Sequence, residues 1–272
     1  MFYMVINLNL EIEKAKKEFD DNNYEKALEI LDNAEVEEEY QKLAMIIRIA
    51  SLMALNRYGE AVDVINSGIE KFPYDDFLWA RKVECHYFNG DKKKAIKSLG
   101  ELERIVNKDD KQHLVLLAEK FEMLNNHTKA LKYCDMALDI DGDFSDAIRQ
   151  KAMVASALKD HDMMSECADK LLELCDDDIC KITLPMILKL FSGRYRDCYD
   201  IVNGVDIDGG YGEMLKGGIY NRMVEDLEIE IRTSAPIEIT IDEVLNLFFM
   251  YHYDGIDHGE INGAKYLITK RQ

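Results

Sequence analysis

The chain has little that would interrupt a helix. Its 272 residues include three prolines, Pro73, Pro185 and Pro236, and few of its glycines come before residue 200. Proline removes a backbone donor and clashes with the preceding turn, and glycine costs conformational entropy, so their scarcity favours long helices over that region. Basic side chains are also in the minority, 34 against 53 acidic ones, for a formal net charge of −19. Such a field repels phosphate backbones and anionic headgroups, so neither nucleic acid nor a membrane surface is an expected partner. No apolar run approaches the length of a membrane span. The opening MFYMVINLNL lacks a basic leader and a small-residue cleavage site, and does not read as a secretory signal. The six cysteines (Cys85, Cys134, Cys167, Cys175, Cys180, Cys198) form no CxxC pair and fall mostly where a helical pattern wants a small apolar side chain. They are expected to be reduced core residues and the protein cytoplasmic. What is present is a hydrophobic content of 47%, enough to supply a core.

That content is organised as an internal repeat. The segments NNYEKALEILDNA, NRYGEAVDVINSGIEKFP, NGDKKKAIKSLGELERI, NNHTKALKYCDMALDID, KDHDMMSECADKLLELC and SGRYRDCYDIVNGV superpose at one phase. Ala27, Ala61, Ala95, Ala130, Met164 and Cys198 carry the register, with spacings of 34, 34, 35, 34 and 34. Each unit reads as two helices joined by a polar turn. In the second, LAMIIRIASLMAL spaces apolar groups three and four apart, Asn56 and Arg57 break the pattern, and GEAVDVINSGIEKF resumes it until Pro73. In the third, Asn89-Gly90-Asp91 is a turn, glycine taking the left-handed conformation and an Asn or Asp capping the next helix.

The unit resembles the tetratricopeptide repeat over roughly residues 8 to 208. Trp79 holds the early large position of the third unit, with Met45, Leu114, Ile148 and Ile182 in the others. Tyr24, Tyr58 and Tyr195 hold the aromatic turn position, where His127 and His161 also fall, and Pro73 is the late proline. Met164 and Cys198 depart from the close-contact alanine, and Val83 and Met186 from the small first-helix residue. The angle between helices in the fifth and sixth units is therefore open. The chain's acidity sets it apart from the related repeats that bind RNA in a basic groove.

The resemblance implies an all-α solenoid of about six helix-turn-helix repeats forming a superhelix over residues 1–208, with 209–272 as a helical capping or effector segment. Single helix pairs cannot bury their apolar face, so neighbours stabilise one another and leave a concave side open. In this family the first helix of each unit lines that side. The positions carried over are Leu43, Ile46, Ala50 and Met53; Phe77, Ala80, Glu84 and Tyr87; Gln112, Val115, Glu119 and Glu122; and Asp146, Arg149, Met153 and Ser156. Such a groove is apolar and aromatic toward its amino-terminal half and acidic in the middle, which suits a protein or peptide with an apolar anchor and a basic stretch. Met53, Phe77 and Tyr87 would equally serve to pack against adjacent helices. The lysine, arginine and asparagine set that clamps chaperone tails is missing, with Ile12, Lys16, Ile46 and Arg81 at those positions, so chaperone-tail binding is not expected.

After about residue 205 glycines cluster and the phase is lost. YGEMLKGGIYNRMVEDLEIEI reads as one more helix, Thr233 to Ile239 as extended or loop, IDEVLNLFFMYHY as an apolar helix, and AKYLITKR as helix or strand. Capping or dimerisation is the favoured role, and an effector module the alternative.

No catalytic, cofactor or metal motif stands out. GGYGEMLKGG lacks the Gly-Lys-Ser/Thr ending of a phosphate loop, and YDGIDHGEING lacks the ordered oxygen ligands of an EF-hand. Cys175 and Cys180 have no histidine at ligand spacing, His252 and His258 do not share a helical face with a glutamate, and adjacent Cys85 and His86 diverge on their helix. The expected function is a noncatalytic scaffold or adaptor. The alternatives are a peptide- or ligand-sensing regulator and a targeting subunit of an enzyme complex.

Overall fold

A computed structural model describes residues 2–227, 229–233, 245, 249, 258–261 and 264–270. The chain divides into two compact units, Met1–Ile140 and Asp141–Gln272. The first holds four helix pairs: α1 (Phe2–Asp20) with α2 (Tyr24–Asn33), α3 (Gln41–Ala54) with α4 (Tyr58–Lys71), α5 (Asp76–Phe88) with α6 (Lys92–Ile105), and α7 (Lys111–Met123) with α8 (His127–Ile140). The second holds α9 (Ser145–Leu158) with α10 (His161–Glu173), then α11 (Asp178–Ile182) and α12 (Leu184–Phe191) with α13 (Tyr195–Asn203). After these come α14 (Gly209–Asp226) and strands β1 (Ile229–Thr233), β2 (His258–Ile261) and β3 (Ala264–Lys270).

The repeat phase is visible in the backbone. Each second helix begins three residues before its register residue, at Tyr24, Tyr58, Lys92, His127, His161 and Tyr195. The register residues are all core: Ala27, Ala61, Ala95, Ala130 and Cys198 are 0% exposed and Met164 3%. Within each pair one turn residue takes positive φ: Asn22 (62°), Asn56 (58°), Gly90 (81°), Asn125 (61°), Lys159 (57°) and Gly193 (75°). The next residue donates its N–H to the carbonyl five positions back, from Asn23, Arg57, Asp91 and Asn126 at 2.8 Å and from Asp160 and Arg194 at 2.9 Å. This left-handed cap satisfies carbonyls that the end of a first helix would leave unpaired. The tyrosines that open α2 and α4 reinforce it, Tyr24 and Tyr58 donating to the side-chain oxygens of Asn22 and Asn56 at 2.6 Å.

Packing follows from these phases. In the first unit Leu28, Ile49, Leu52, Ala61, Ile65, Leu78 and Cys85 form one core cluster, and Ile12, Ala15, Leu31, Ala44 and Ile47 another. Each large apolar side chain buried this way contributes roughly 1.5 to 3 kcal/mol. Gly68 is set by the same packing: a Cβ there would lie 2.4 Å from Met45 Sδ and 3.0 Å from Leu78 Cδ1. In the second unit the first helix of the sixth pair breaks into α11 and α12 at Thr183; Pro185, which has no N–H to continue the preceding turn, falls in the first turn of α12, where none is needed. Past that pair, α14 buries Ile219, Met223 and Val224 against Met186, Tyr195, Cys198, Tyr199 and Val202. Tyr195 also donates to Asp226 Oδ2 at 2.6 Å.

Two expectations are corrected. The segment after 208 is not wholly helical: among the described residues β1, β3 and β2 form a three-stranded antiparallel sheet in that order, pairing Ile229 with Lys270 and His258 with Leu267. The end of the expected helix, IEI, alternates β-branched and acidic residues with the period of a strand, and AKYLITK is strand. Most of IDEVLNLFFMYHY lies outside the described residues. Nor are all six cysteines reduced: Cys175 and Cys180, with Cα atoms 5.6 Å apart across the α10–α11 connection, form a disulfide. Cys85, Cys134, Cys167 and Cys198 are buried and reduced.

Candidate partner-binding face

Leu43, Phe77 and Gln112 share one position on α3, α5 and α7, and all retain exposed surface, Leu43 at 41%. At the next position Ile46 is half-buried while Ala80 and Val115 are buried. The third position runs from half-buried Ala50 through buried Glu84 to exposed Glu119, and the last from half-buried Met53 through exposed Tyr87 to half-buried Glu122. Ala80, Glu84 and Val115 therefore form the floor between first helices and do not present a surface, and the outer two positions form the rims. On α9, taken by itself, Asp146, Arg149, Met153 and Ser156 are all exposed, and Asp146 pairs with Arg149.

Glu84 changes the electrostatics expected of this face. Its carboxylate lies 2.5 Å from the Lys120 ammonium, both side chains being more than nine-tenths buried, and 2.7 Å from Arg81. The Arg81 guanidinium in turn stacks 5.3 Å from the Phe77 ring. A buried carboxylate needs a paired cation, and Lys120 supplies one from the next first helix. The acidic middle is thus reduced to Glu119 and Glu122, with Glu119 3.5 Å from Lys120. The neighbouring thiol is inert: burial, helped by Glu84, pushes Cys85 up to about 12.

Toward the turn end of α5 the face carries an aromatic rim. Tyr58 stacks on Phe88 with ring centroids 5.5 Å apart, Tyr87 meets Phe88 edge-on at 5.4 Å, and Phe88 is 54% exposed. Phe88 was not among the sequence candidates. Its neighbours gave the hint, since it lies between Tyr87 and the Asn89-Gly90 turn.

A second concavity lies between α2 and α4 over α3. A 500 Å³ cleft is lined by Glu25, Glu29, Asp32, Arg48, Arg57 and Glu60 among others. Beside it a 310 Å³ cleft is lined by Val36, Met45, Arg48, Gly68 and Lys71. The charges of the 500 Å³ cleft are largely paired: Arg48 with Asp32, and Arg57 with Glu60 at 2.6 Å and Glu25 at 3.1 Å. The hydrogen bond from Arg57 holds the Glu60 carboxyl below its usual range. None of the sequence candidates lines either cleft. Among the described residues no group of three or more His, Cys, Asp or Glu is arranged to hold a metal ion, and no helix is long and apolar enough to cross a membrane.

No family model and no curated protein matches the sequence. Solved structures do. The chain is similar to a tetratricopeptide repeat protein from Parabacteroides merdae ATCC 43184, at 16% identity and a TM-score of 0.53 over 81% of this chain and 90% of that one. It is also similar to PilW, a widely conserved type IV pilus biogenesis factor, at 11% identity and a TM-score of 0.56 over 78% of this chain and 98% of that one. At these identities the likeness is one of fold.

Proposed function

We propose that this chain, whose fold is that of the tetratricopeptide repeat proteins, is a noncatalytic protein-interaction scaffold that binds a protein or peptide on its first-helix faces. The observation that supports this best is the repeated rim. Leu43 and Phe77 on one side and Met53 and Tyr87 on the other keep apolar and aromatic surface accessible at equivalent positions of successive helices, above a floor already closed by Ala80 and Val115. Aromatic anchors beside a packed floor are the usual energetic centre of a protein interface. Glu119 and Glu122 at the α7 end favour a partner with a basic residue following its apolar anchor. The paired Glu84 takes no part in that selection. In this reading α14 caps the array. The sheet that follows offers β1 and β2 as outer strands among those described, through which a second copy would pair.

Affinity purification from native lysate tests this with three forms: the intact chain, a Leu43→Glu/Met53→Glu/Tyr87→Ala variant, and a chain ending at residue 208. The variant should lose the partners that the intact chain retains, with helix content unchanged by circular dichroism, and the truncated chain should keep them. Partners that persist on the variant and vanish on truncation would move the binding site to the carboxy-terminal segment.

A further inference from the structure

In a chain with 53 acidic and 34 basic side chains, the stretch 92–97 reads KKKAIK. It forms the first turns of α6, and Lys92, Lys93, Lys94 and Lys97 are all exposed. Lys93, Lys97, Gly100 and Arg104 follow one another at steps of four, three and four, so they form a single stripe about 16 Å long. Ile96, 54% exposed, stands beside it. Gly100 is also exposed, and a Cβ built there meets nothing within 4 Å, so the stripe is not covered by another part of the described chain.

The antiparallel α5 adds to the same side. Trp79, Lys82 and His86 recur at steps of three and four, and the Lys82 ammonium lies 4.8 Å from the centre of the Trp79 ring. Burial and the nearby Lys97 ammonium hold Lys82 below the usual lysine value, and burial with Lys82 and Lys94 does the same to His86. The charges on this side are mostly uncompensated. Asp91 answers Lys94 at 2.9 Å and Glu101 answers Arg104 at 2.9 Å, while Lys92, Lys93 and Lys97 have no carboxylate within 4.0 Å among the described residues.

We propose that this α5–α6 face is a binding site for a short acidic protein segment, separate from the first-helix rims. The stripe is matched by about five residues of extended chain, at roughly 3.3 Å each. An apolar residue beside the acids would meet Ile96. Screening at physiological salt limits a ligand's view to about 8 Å. A short segment therefore feels the local cations, whereas a long duplex or a bilayer would also meet the acidic remainder of the molecule. That difference in reach favours a protein segment over nucleic acid or lipid.

Trp79 is the only tryptophan in the chain and reports on the site directly. The full chain is titrated with an octaglutamate peptide carrying one central leucine, and its tryptophan emission is followed. A saturable change that weakens as salt rises is expected. Lys93→Glu/Lys97→Glu should raise the dissociation constant at least tenfold while leaving the circular dichroism spectrum unchanged, and the Leu43→Glu/Met53→Glu/Tyr87→Ala variant should bind as the parent does. No saturable change, or equal affinity in the lysine variant, would overturn the proposal. So would tighter binding of an oligothymidylate of equal charge, or of phosphatidylserine vesicles, since the site would then be a general polyanion surface. Failure here leaves the first-helix reading untouched, because none of the residues is shared.

Discussion

Glu84 and Lys120 sit on neighbouring first helices with their charged ends 2.5 Å apart and almost no solvent contact. Removing one partner from such a pair strands the other, which typically costs about 3 to 5 kcal/mol, whereas replacing both with apolar groups is often close to neutral. Glu84→Leu, which leaves the buried Lys120 ammonium with Glu119 alone at 3.5 Å, should therefore lower the urea midpoint substantially, and Glu84→Leu/Lys120→Met should recover much of the loss. A single substitution with no effect would mean the pair is solvated. Glu103 offers a second test through pH. Burial raises its carboxyl, but hydrogen bonds from Tyr133 at 2.6 Å and Lys129 at 2.9 Å outweigh that and leave it below the usual glutamate value. A depressed carboxyl stabilises the fold above its unfolded pKa and loses that contribution as pH falls through the folded value. The stability of the first unit should therefore fall with acidification below the ordinary glutamate range, and Tyr133→Phe should flatten that acid limb. Neither pair was legible in the sequence. Lys120 lies 36 residues after Glu84, one off the 35-residue step between their units, so no repeat alignment places them together.

At the scale of elements, the helices and turns followed from the sequence because each is specified locally. Asn, Gly and an apolar register residue recur at one phase, and the backbone repeats its left-handed cap wherever they do. Lys159 is the exception, a lysine at φ 57° where the other pairs place asparagine or glycine. A non-glycine residue in that conformation costs roughly 1 to 2 kcal/mol. Lys159→Gly should therefore raise the melting temperature of the second unit. A decrease would show that the lysine side chain contributes more than its backbone costs. The break before Pro185 and the carboxy-terminal sheet were missed for opposite reasons. The proline was present but the six-fold phase argued for an unbroken helix. The strands had their own pattern in Ile229 and Ile231, and the dipeptide Asn262-Gly263 between β2 and β3 is one that two-residue hairpins favour. That pattern was outweighed by the helical reading of what precedes it. The disulfide was invisible because Cys175 and Cys180 are too close in sequence to suggest a core staple and too far apart for a redox motif.

At the scale of the molecule, the candidate face was only half legible. The repeat resemblance points to the first helices but not to which of their positions close the floor, since that depends on how neighbouring first helices pack. Ala80 and Val115 are small enough to be covered, and Glu84 is covered because Lys120 compensates it. The net charge of −19 should keep the chain from binding long polyanions, while its uneven distribution leaves acids on α7 and lysines on α6. Partners are expected to engage the first helices of the first unit. Hydrogen–deuterium exchange of the chain with and without a partner recovered from native lysate tests it most directly. Slowed exchange is expected in residues 41–54, 76–88 and 111–123, with the carboxy-terminal segment unaffected. Protection confined to residues 209–272 would contradict it.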